Sequence, residues 1–170
     1  MKTNLVKIFE RIRDEPLHIP EELRDKDNRC WGKSRKLKEL LEKEGCEVRF
    51  RVCTFKWSKQ RFPKDILAIP HKDNEYHLYL EIKINNKWVI LDCSNDSKLP
   101  SYNAWDGLTD CSIAVNYDKI LSPKESLDIE NKEKREFLIL LNENKKFYNS
   151  INHFLEGLRK NYFLTKMSLS

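Results

Sequence analysis

Two stretches of the chain, residues 46–55 and 75–84, alternate between apolar and polar positions. A period of two residues is typical of a β-strand with one buried face. The second stretch is followed by the turn signal Asn85-Asn86 and by a further apolar run from Lys87 to Leu91. The pattern therefore predicts one strand, and then a β-hairpin whose two strands run antiparallel.

Other regions repeat apolar residues every three or four positions, which predicts amphipathic helices. One such helix covers residues 4–13, and a second follows Asn28 and stops at Gly45. Two more are expected after the helix entry Ser122-Pro123. Short additional strands are expected at residues 66–69 and 112–117. These elements predict an α+β fold in which helices pack on an antiparallel sheet.

A change of composition after residue 122 predicts two parts within one compact unit. A chain of 170 residues is within the range of a single domain. Residues 1–122 are expected to form the core, and residues 123–170 a C-terminal helical extension. The apolar stripes of this extension leave two interpretations open: they pack on the core, or they form the contact of a homodimer.

Charge and cysteine content narrow the class of protein. Charged residues make up 35% of the chain, and the net charge of +5 comes from basic residues interspersed with acidic ones, which indicates a solvated surface and no nucleic-acid partner. No apolar run is long enough for a membrane span, and no signal-peptide pattern is present, so we expect no membrane partner and a cytoplasmic location. The five cysteines give an odd number, so at least one thiol is expected to be free unless it pairs with another chain.

Three reactive residues occupy informative positions in the predicted elements. Cys30 begins the second helix, His77 lies in the apolar strand, and Asp92 directly follows the next strand. A helix N-terminus and a neighbouring imidazolium both stabilise a thiolate, the nucleophilic form of cysteine. The hairpin brings His77 and Asp92 to the same edge of the sheet, where a carboxylate can orient an imidazole. These positions predict a nucleophile, a base and an orienting group.

The three motifs around these residues resemble those of the transglutaminase-like superfamily. The first motif covers residues 28–34 and leads through a leucine-bearing helix to Gly45 and a strand; the second covers residues 76–82, and the third is Leu91-Asp92. Their order and spacing match over roughly residues 4–95. The resemblance implies a papain-like core, in which a helix bearing the cysteine packs on an antiparallel sheet.

The same resemblance implies a function. Members use Cys, His and Asp for acyl transfer or amide hydrolysis, which gives Cys30 the role of nucleophile, His77 that of base and Asp92 that of orienter. The expected reaction is acyl transfer or amide hydrolysis on a peptide or protein, through a thioester intermediate. Hydrolysis is favoured because the acidic calcium clusters of calcium-dependent transglutaminases are lacking. Neither a cofactor nor a metal is expected.

Further residues are assigned to the walls and supports of this site. Trp31, Tyr79 and Trp88 are candidates for substrate contact or for core packing. The backbone amide of Cys30 is expected to be one donor to the oxyanion, while the second donor stays open. Glu81 is expected to pair across the sheet with Arg49 or Arg51. The remaining cysteines are expected to be packing residues, namely Cys46, Cys53, Cys93 and Cys111.

Two alternatives compete with an enzyme. Residues next to the motifs depart from the family pattern, notably Arg29 before the cysteine and Cys93 after the aspartate. These departures motivate a catalytically silent module that uses its cleft to hold a protein partner. A metal site formed by Cys30, His77, Asp92 and Cys93 has suitable ligand types, but no sequence spacing requires it.

Overall fold

A four-stranded antiparallel sheet forms the centre of the protein, in the order β3-β2-β1-β4. The computed structural model describes residues 2–22 and 24–167. The strands are β1 Val48–Lys56, β2 Asn74–Ile84, β3 Lys87–Leu91 and β4 Tyr117–Ile120. The helices are α1 Lys2–Arg13, α2 Cys30–Lys43, α3 Lys64–Leu67, α4 Pro123–Glu143 and α5 Lys145–Met167, and a 3₁₀ turn spans Trp57–Lys59. The α+β class predicted from the sequence is therefore confirmed.

The register of the sheet follows from the hairpin between β2 and β3. Asn85 and Asn86 have positive φ angles of 48° and 63°, as a tight two-residue hairpin turn requires at both central positions. The turn pairs Leu80 with Leu91 and Ile84 with Lys87. On its other side β2 pairs with β1 along the whole length of β1, and His77 lies opposite Cys53. The predicted hairpin is confirmed, and it places the end of β3 beside the middle of β2.

Two predicted short strands differ from the structure. Residues 66–69 were expected to be extended, but this expectation is wrong because α3 occupies Lys64–Leu67. Pro63 precedes this helix with a φ of −55°, a value that proline already favours and that suits the start of a helix. The other strand begins only at Tyr117, because the backbone before it makes different hydrogen bonds: Ala114 donates its amide to Asp92, and the carbonyl of Ser112 accepts from Asn103.

The main hydrophobic core lies between the sheet and the first two helices. Its fully buried members are Phe9, Ile12, Leu37, Leu41, Leu80, Ile82, Leu91 and Cys93. Burying an aliphatic or aromatic side chain of this size stabilises the folded state by about 1.5–3 kcal/mol. The alternation of β2 thus puts its even-numbered residues against the helices, and its odd-numbered residues, including His77, on the opposite face.

The C-terminal helices contact the sheet-bearing part of the chain at several points. Ser126 of α4 accepts the amide of Val52 at 3.0 Å. Asn152 of α5 bonds to both the amide and the carbonyl of Ile19, at 2.9 and 2.8 Å. A second hydrophobic cluster packs α5 against the loop after α1 and includes Ile19, Leu99, Phe147, Ile151 and Leu155. These contacts agree with the interpretation in which the C-terminal helices pack on the core. The other interpretation, a homodimer contact, stays a prediction.

Charged side chains lie largely at the surface or in ion pairs. The predicted pairing of Glu81 is confirmed, because its carboxylate bonds to both Arg49 and Arg51 on the neighbouring strand. Charges also interrupt the apolar stripes of the helices. Among the residues that the structure describes, no helix is long and apolar enough to cross a membrane.

Candidate active site

Cys30 is the first residue of α2 and is partly exposed. Arg29 precedes it as the N-cap residue with extended backbone, a φ of −67° and a ψ of 173°, and makes no side-chain hydrogen bond to the helix amides. The first turn closes with a bond of 3.0 Å from the amide of Lys33 to the carbonyl of Arg29. The first amides of a helix have no partner within the helix. The thiol of Cys30 therefore lies at the positive end of the α2 dipole.

His77 is held in the interior by β2, with 3% of its surface exposed. Its Nε2 atom lies 2.7 Å from Oδ2 of Asp92, which is fully buried at the end of β3. The second ring nitrogen, Nδ1, is therefore the one left for Cys30, which interacts electrostatically with the imidazole. The structure thus brings Cys30, His77 and Asp92 together in that order.

Every oxygen of the Asp92 carboxylate has a hydrogen-bond donor. Oδ1 accepts the amide and the hydroxyl of Ser94, at 2.9 and 2.6 Å. Oδ2 accepts the amide of Ala114 at 2.8 Å, in addition to His77. Burial alone would raise the pKa of Asp92, but the charge of His77 and these bonds outweigh it and lower the pKa. Asp92 is therefore an ionised, fixed partner of the imidazole.

The charge state of His77 follows from its two neighbours. Burial lowers the pKa of His77, but the charges of Asp92 and Cys30 and the hydrogen bonds to both outweigh burial and raise this pKa from 6.5 to about 10. His77 is consequently an imidazolium at neutral pH. An imidazolium beside a thiol favours the thiolate, the form of cysteine that attacks carbonyl carbons.

Cys30 and His77 open onto one cavity of ≈ 670 Å³. The sheet and the loops beside it supply one wall, with residues such as Phe55, Ser94 and Ile113. Helices α4 and α5 supply another, and their lining residues include Phe137, Tyr148, Ile151, Phe154 and Leu158. The catalytic candidates are therefore accessible to a ligand from a space that the C-terminal helices help to enclose.

Arg29 lines the cavity near Cys30, together with three charged or polar residues that the sequence did not single out. Arg29 forms ion pairs of 2.9 Å with Asp27 and with Glu133 of α4, and its guanidinium lies 3.6 Å from the ring centre of Phe137. Tyr148 of α5 lines the same space, and burial raises its pKa. The local pattern gave no signal for Glu133 or Tyr148, because both reach the site through the packing of distant helices.

Glu75 is the fourth of these residues and lies two positions before His77. The period of two puts both side chains on the same face of β2, which was the available signal in the sequence. Its Oε2 atom is buried and has no hydrogen-bond partner among the described residues. Burial raises the pKa of Glu75. Glu75 therefore presents an unpaired carboxylate oxygen on the same face of β2 as the imidazole.

The predicted substrate residues have different surroundings. Trp31 lines the cavity, is 4% exposed and packs against Leu78. Tyr79 is fully buried, and the ring of Trp88 packs against the guanidinium of Arg49 at 3.9 Å; neither side chain lines the cavity. Of the three predicted substrate residues, Trp31 is therefore the one that forms part of the cavity wall.

The structure also shows the surroundings of the remaining cysteines and bears on the alternative of a metal site. All five cysteines are free thiols, and Cys53, Cys93 and Cys111 are buried. Burial raises the pKa of Cys53 to about 12 and that of Cys111 to about 11. Within residues 2–22 and 24–167, no group of three or more His, Cys, Asp and Glu side chains is arranged to hold a metal ion.

No protein-family model, curated protein or solved structure matches the chain. The geometry itself limits the chemistry that the site can perform. A thiol at a helix start, beside an imidazolium that is hydrogen-bonded to a buried carboxylate, can form and resolve a covalent acyl intermediate. The adjoining cavity gives this group room for a substrate.

Proposed function

We propose that this protein is a cysteine enzyme with a papain-like, transglutaminase-like core, which hydrolyses an amide of a peptide or protein or transfers its acyl group. The observation that carries the proposal is the row of Cys30, His77 and Asp92 beside a cavity. In this row His77 Nε2 is 2.7 Å from Asp92 Oδ2, and Cys30 interacts electrostatically with the imidazole. Cys30 is the nucleophile, His77 the acid and base, and Asp92 the orienting group.

Acylation begins with attack of the Cys30 thiolate on the carbonyl carbon of the amide. A C–S bond forms, and the carbonyl oxygen takes up negative charge. His77 gives its Nδ1 proton to the amide nitrogen, the C–N bond breaks, and the amine leaves. The product on the enzyme is a thioester of Cys30. Asp92 stabilises the imidazolium before transfer and keeps the ring in place afterwards.

Deacylation reverses the roles of the same groups. Neutral His77 takes a proton from water, or from an acceptor amine, as the oxygen or nitrogen attacks the thioester carbon. The C–S bond then breaks, and the thiolate and imidazolium are restored. Water gives hydrolysis and an amine gives transfer, so the choice depends on which nucleophile reaches the cavity.

The helix start supports the transition state of both steps. The amide of Cys30 is in the first turn of α2, where backbone N–H groups are directed out of the helix. A donor that meets the developing oxyanion is worth about 2.7–4 kcal/mol in enzymes of this kind. The amide of Cys30 is the donor we assign to this position.

Selective alkylation tests the proposal. Cys46 is the matched control, because it is partly exposed like Cys30 but lies outside the row. Folded protein is treated with limiting iodoacetamide at pH 7, and each cysteine peptide is quantified by mass spectrometry. Cys30 is expected to react at least about tenfold faster than Cys46, because only Cys30 is paired with an imidazolium. Equal or slower labelling of Cys30 overturns the proposal.

Covalent acylation separates an enzyme from a silent module that binds a protein partner. The hydrogen bond between His77 and Asp92 beside Cys30 supports the enzyme, because a module that only binds a partner in its cleft does not need an oriented imidazole. The native protein is incubated with p-nitrophenyl acetate, and its intact mass is measured over time. We expect a transient gain of one acetyl group, which Cys30→Ser abolishes. A mass that stays unchanged in the native protein favours the silent module.

A further inference from the structure

The polar residues of the cavity that surround Cys30 come from several elements. Arg29, Glu75, Glu133 and Tyr148 interact electrostatically with one another, and Arg29 and Tyr148 also with Cys30. Beyond them the lining is mixed: it has the apolar residues Leu17, Ile19, Leu99, Leu155 and Leu158, and also polar ones such as Lys59, Gln60, Arg61, Asn95 and Asn116. The cavity therefore has a polar zone around the nucleophile and, farther along, an apolar zone formed by leucine, isoleucine and aromatic side chains.

A row of aromatic rings connects the two zones. Phe55 lies opposite Glu75 in the sheet, next to the pair of Cys53 with His77. From Phe55 the rings follow edge to face, with centres 5.1 Å apart to Trp57 and 5.7 Å from Trp57 to Phe62. Phe62 then contacts Phe154 of α5 at 5.6 Å. All four rings line the cavity, so an apolar wall leads from the catalytic strand to the C-terminal helix.

The size of the cavity exceeds what a small acyl group needs. Its ≈ 670 Å³ is in the range of about 300–1,000 Å³ found for pockets that enclose a drug-sized ligand. An acetyl group would leave most of this apolar surface in contact with water, whereas a long or bulky group would remove that surface from water. The cavity therefore favours large apolar groups.

The proposed chemistry determines which part of the substrate occupies this space. In a thioester the acyl carbon is bonded to the sulfur of Cys30, so the rest of the acyl group extends into the space next to it. We infer that the substrate of Cys30 is an acyl donor with a large apolar acyl group, carried either as a fatty acyl chain or as the apolar side chain of an amino acid. This inference rests on the proposed function and adds the substrate class.

A series of activated esters tests the inference on the unmodified protein. The p-nitrophenyl esters of acetate, butyrate and octanoate are compared by nitrophenolate release and by intact mass, each rate being divided by its rate with free cysteine. We expect a rise of about two- to fourfold per methylene, as burial of apolar surface predicts. A flat or falling series excludes a fatty acyl chain and, together with the glycine preference described below, overturns the inference alone, whereas failure of every ester, acetate included, overturns the proposed function as well.

Two substitutions on α5 test the position of the acyl group. Leu158→Trp fills part of the cavity, and Glu156→Trp adds the same side chain at an exposed position one turn away at most. We expect Leu158→Trp to lower the octanoate-to-acetate ratio at least about tenfold, as the loss of two or more buried methylenes would. Glu156→Trp should keep the native ratio. Equal ratios in both variants, with an unchanged circular dichroism spectrum, contradict the inference.

A second set of esters distinguishes the two sources of the apolar group. It comprises the p-nitrophenyl esters of N-acetylglycine, N-acetylleucine and N-acetylphenylalanine. Faster reaction of the phenylalanine ester than of octanoate supports an apolar amino-acid side chain, and the reverse order supports a fatty acyl chain. A preference for the glycine ester over the leucine and phenylalanine esters, together with a flat fatty series, overturns the inference.

Discussion

The backbone carbonyl of Asp27 lies directly against Gly32 of α2, so close that a Cβ atom at position 32 would be 1.8 Å from its oxygen. Glycine inside a helix is less favourable than alanine by roughly 0.5–1 kcal/mol. The contact explains why glycine nevertheless occupies this position. The absence of a side chain at Gly32 lets the segment before α2 lie against the first turn of the helix. This contact fixes the direction in which the chain approaches Cys30.

Replacement of Gly32 by alanine is therefore expected to destabilise the protein. The nearest atom belongs to the backbone and cannot rotate away, so we expect a loss of about 1–3 kcal/mol, as for other overpacked sites. The urea midpoint should fall with an unchanged slope. Gly157→Ala is the control, because nothing lies within 4 Å of its added Cβ, and it should raise stability slightly. Equal midpoints for the native protein and Gly32→Ala would disprove the role of this contact.

Lys33 is expected to be the most sensitive charged residue of α2. Its Nζ atom is buried and donates to the carbonyls of Arg13, Glu15 and Ser94, at 2.7, 2.9 and 2.8 Å. Lys33→Met would leave three acceptors unpaired, two of them buried and one partly buried, at a cost of at least about 3 kcal/mol in the free energy of unfolding.

Lys43→Met provides the matched control for Lys33. Lys43 is exposed on the same helix and, among the residues that the structure describes, pairs only with Glu39, so its replacement should change stability by about 0.5 kcal/mol or less. Denaturant unfolding of both variants measures the difference. Similar losses for the two lysines would show that the three carbonyl bonds do not stabilise the fold.

The part of the site that the sequence predicted depends on short-range rules. The period of two in β2 and the Asn85-Asn86 turn place His77 and Asp92 side by side once the hairpin forms. Cys30 was recognised from its position between a polar loop and an amphipathic helix. His77 and Asp92 are 15 residues apart in one hairpin, so local patterns are sufficient to position them, whereas Cys30 was grouped with them through the resemblance of the three motifs.

The rest of the site depends on contacts between distant parts of the chain. Glu133 and Tyr148 line the cavity only because α4 and α5 pack on the core. A helical period predicts which face of a helix is apolar, but it does not predict which element that face packs against. Ala114 serves the site through its backbone amide, which carries no residue-specific signal. Residues 66–69 were assigned to a strand from their apolar side chains, although so short a run has no reliable period.

Ser94 is expected to support the carboxylate of Asp92. Its hydroxyl donates to Oδ1 at 2.6 Å in the interior, and nothing in the sequence marked it. Ser94→Ala removes this bond but keeps the backbone amide, so we expect a loss of about 1–2 kcal/mol in stability. Alkylation of Cys30 should also slow, since a less firmly held carboxylate orients the imidazole less well.

Ser101→Ala is the control for Ser94. Ser101 also lines the cavity but is exposed and has no bond to Asp92. We expect its replacement to leave both stability and the rate of Cys30 alkylation unchanged within error. If Ser94→Ala behaves like Ser101→Ala in both measurements, the hydroxyl has no positioning role.

The pairing of His77 with Asp92 should make stability depend on pH on both sides of neutrality. The pKa of His77 is raised to about 10, so its contribution is complete below about 6.5, the ordinary value for histidine, and is lost as the pH rises through 10. The pKa of Asp92 is lowered, so its contribution is complete above about 3.9 and is lost as the pH falls through its folded-state pKa. Stability from this pair should therefore be greatest between about pH 4 and 6.5.

Asp92→Asn tests this dependence, because it removes the charge that keeps His77 protonated. The free energy of unfolding, measured in urea at pH 6 and pH 9, should fall with pH in the native protein and fall less in Asp92→Asn. Asp118→Asn, at an exposed position paired with Lys59, should keep the native dependence. Nitrogen-15 NMR of the four histidines provides a direct measurement, in which His77 should remain protonated above pH 8 only when Asp92 is present. A neutral His77 ring at pH 7 in the native protein would contradict both the charge assignment and the proton donor of the acylation step.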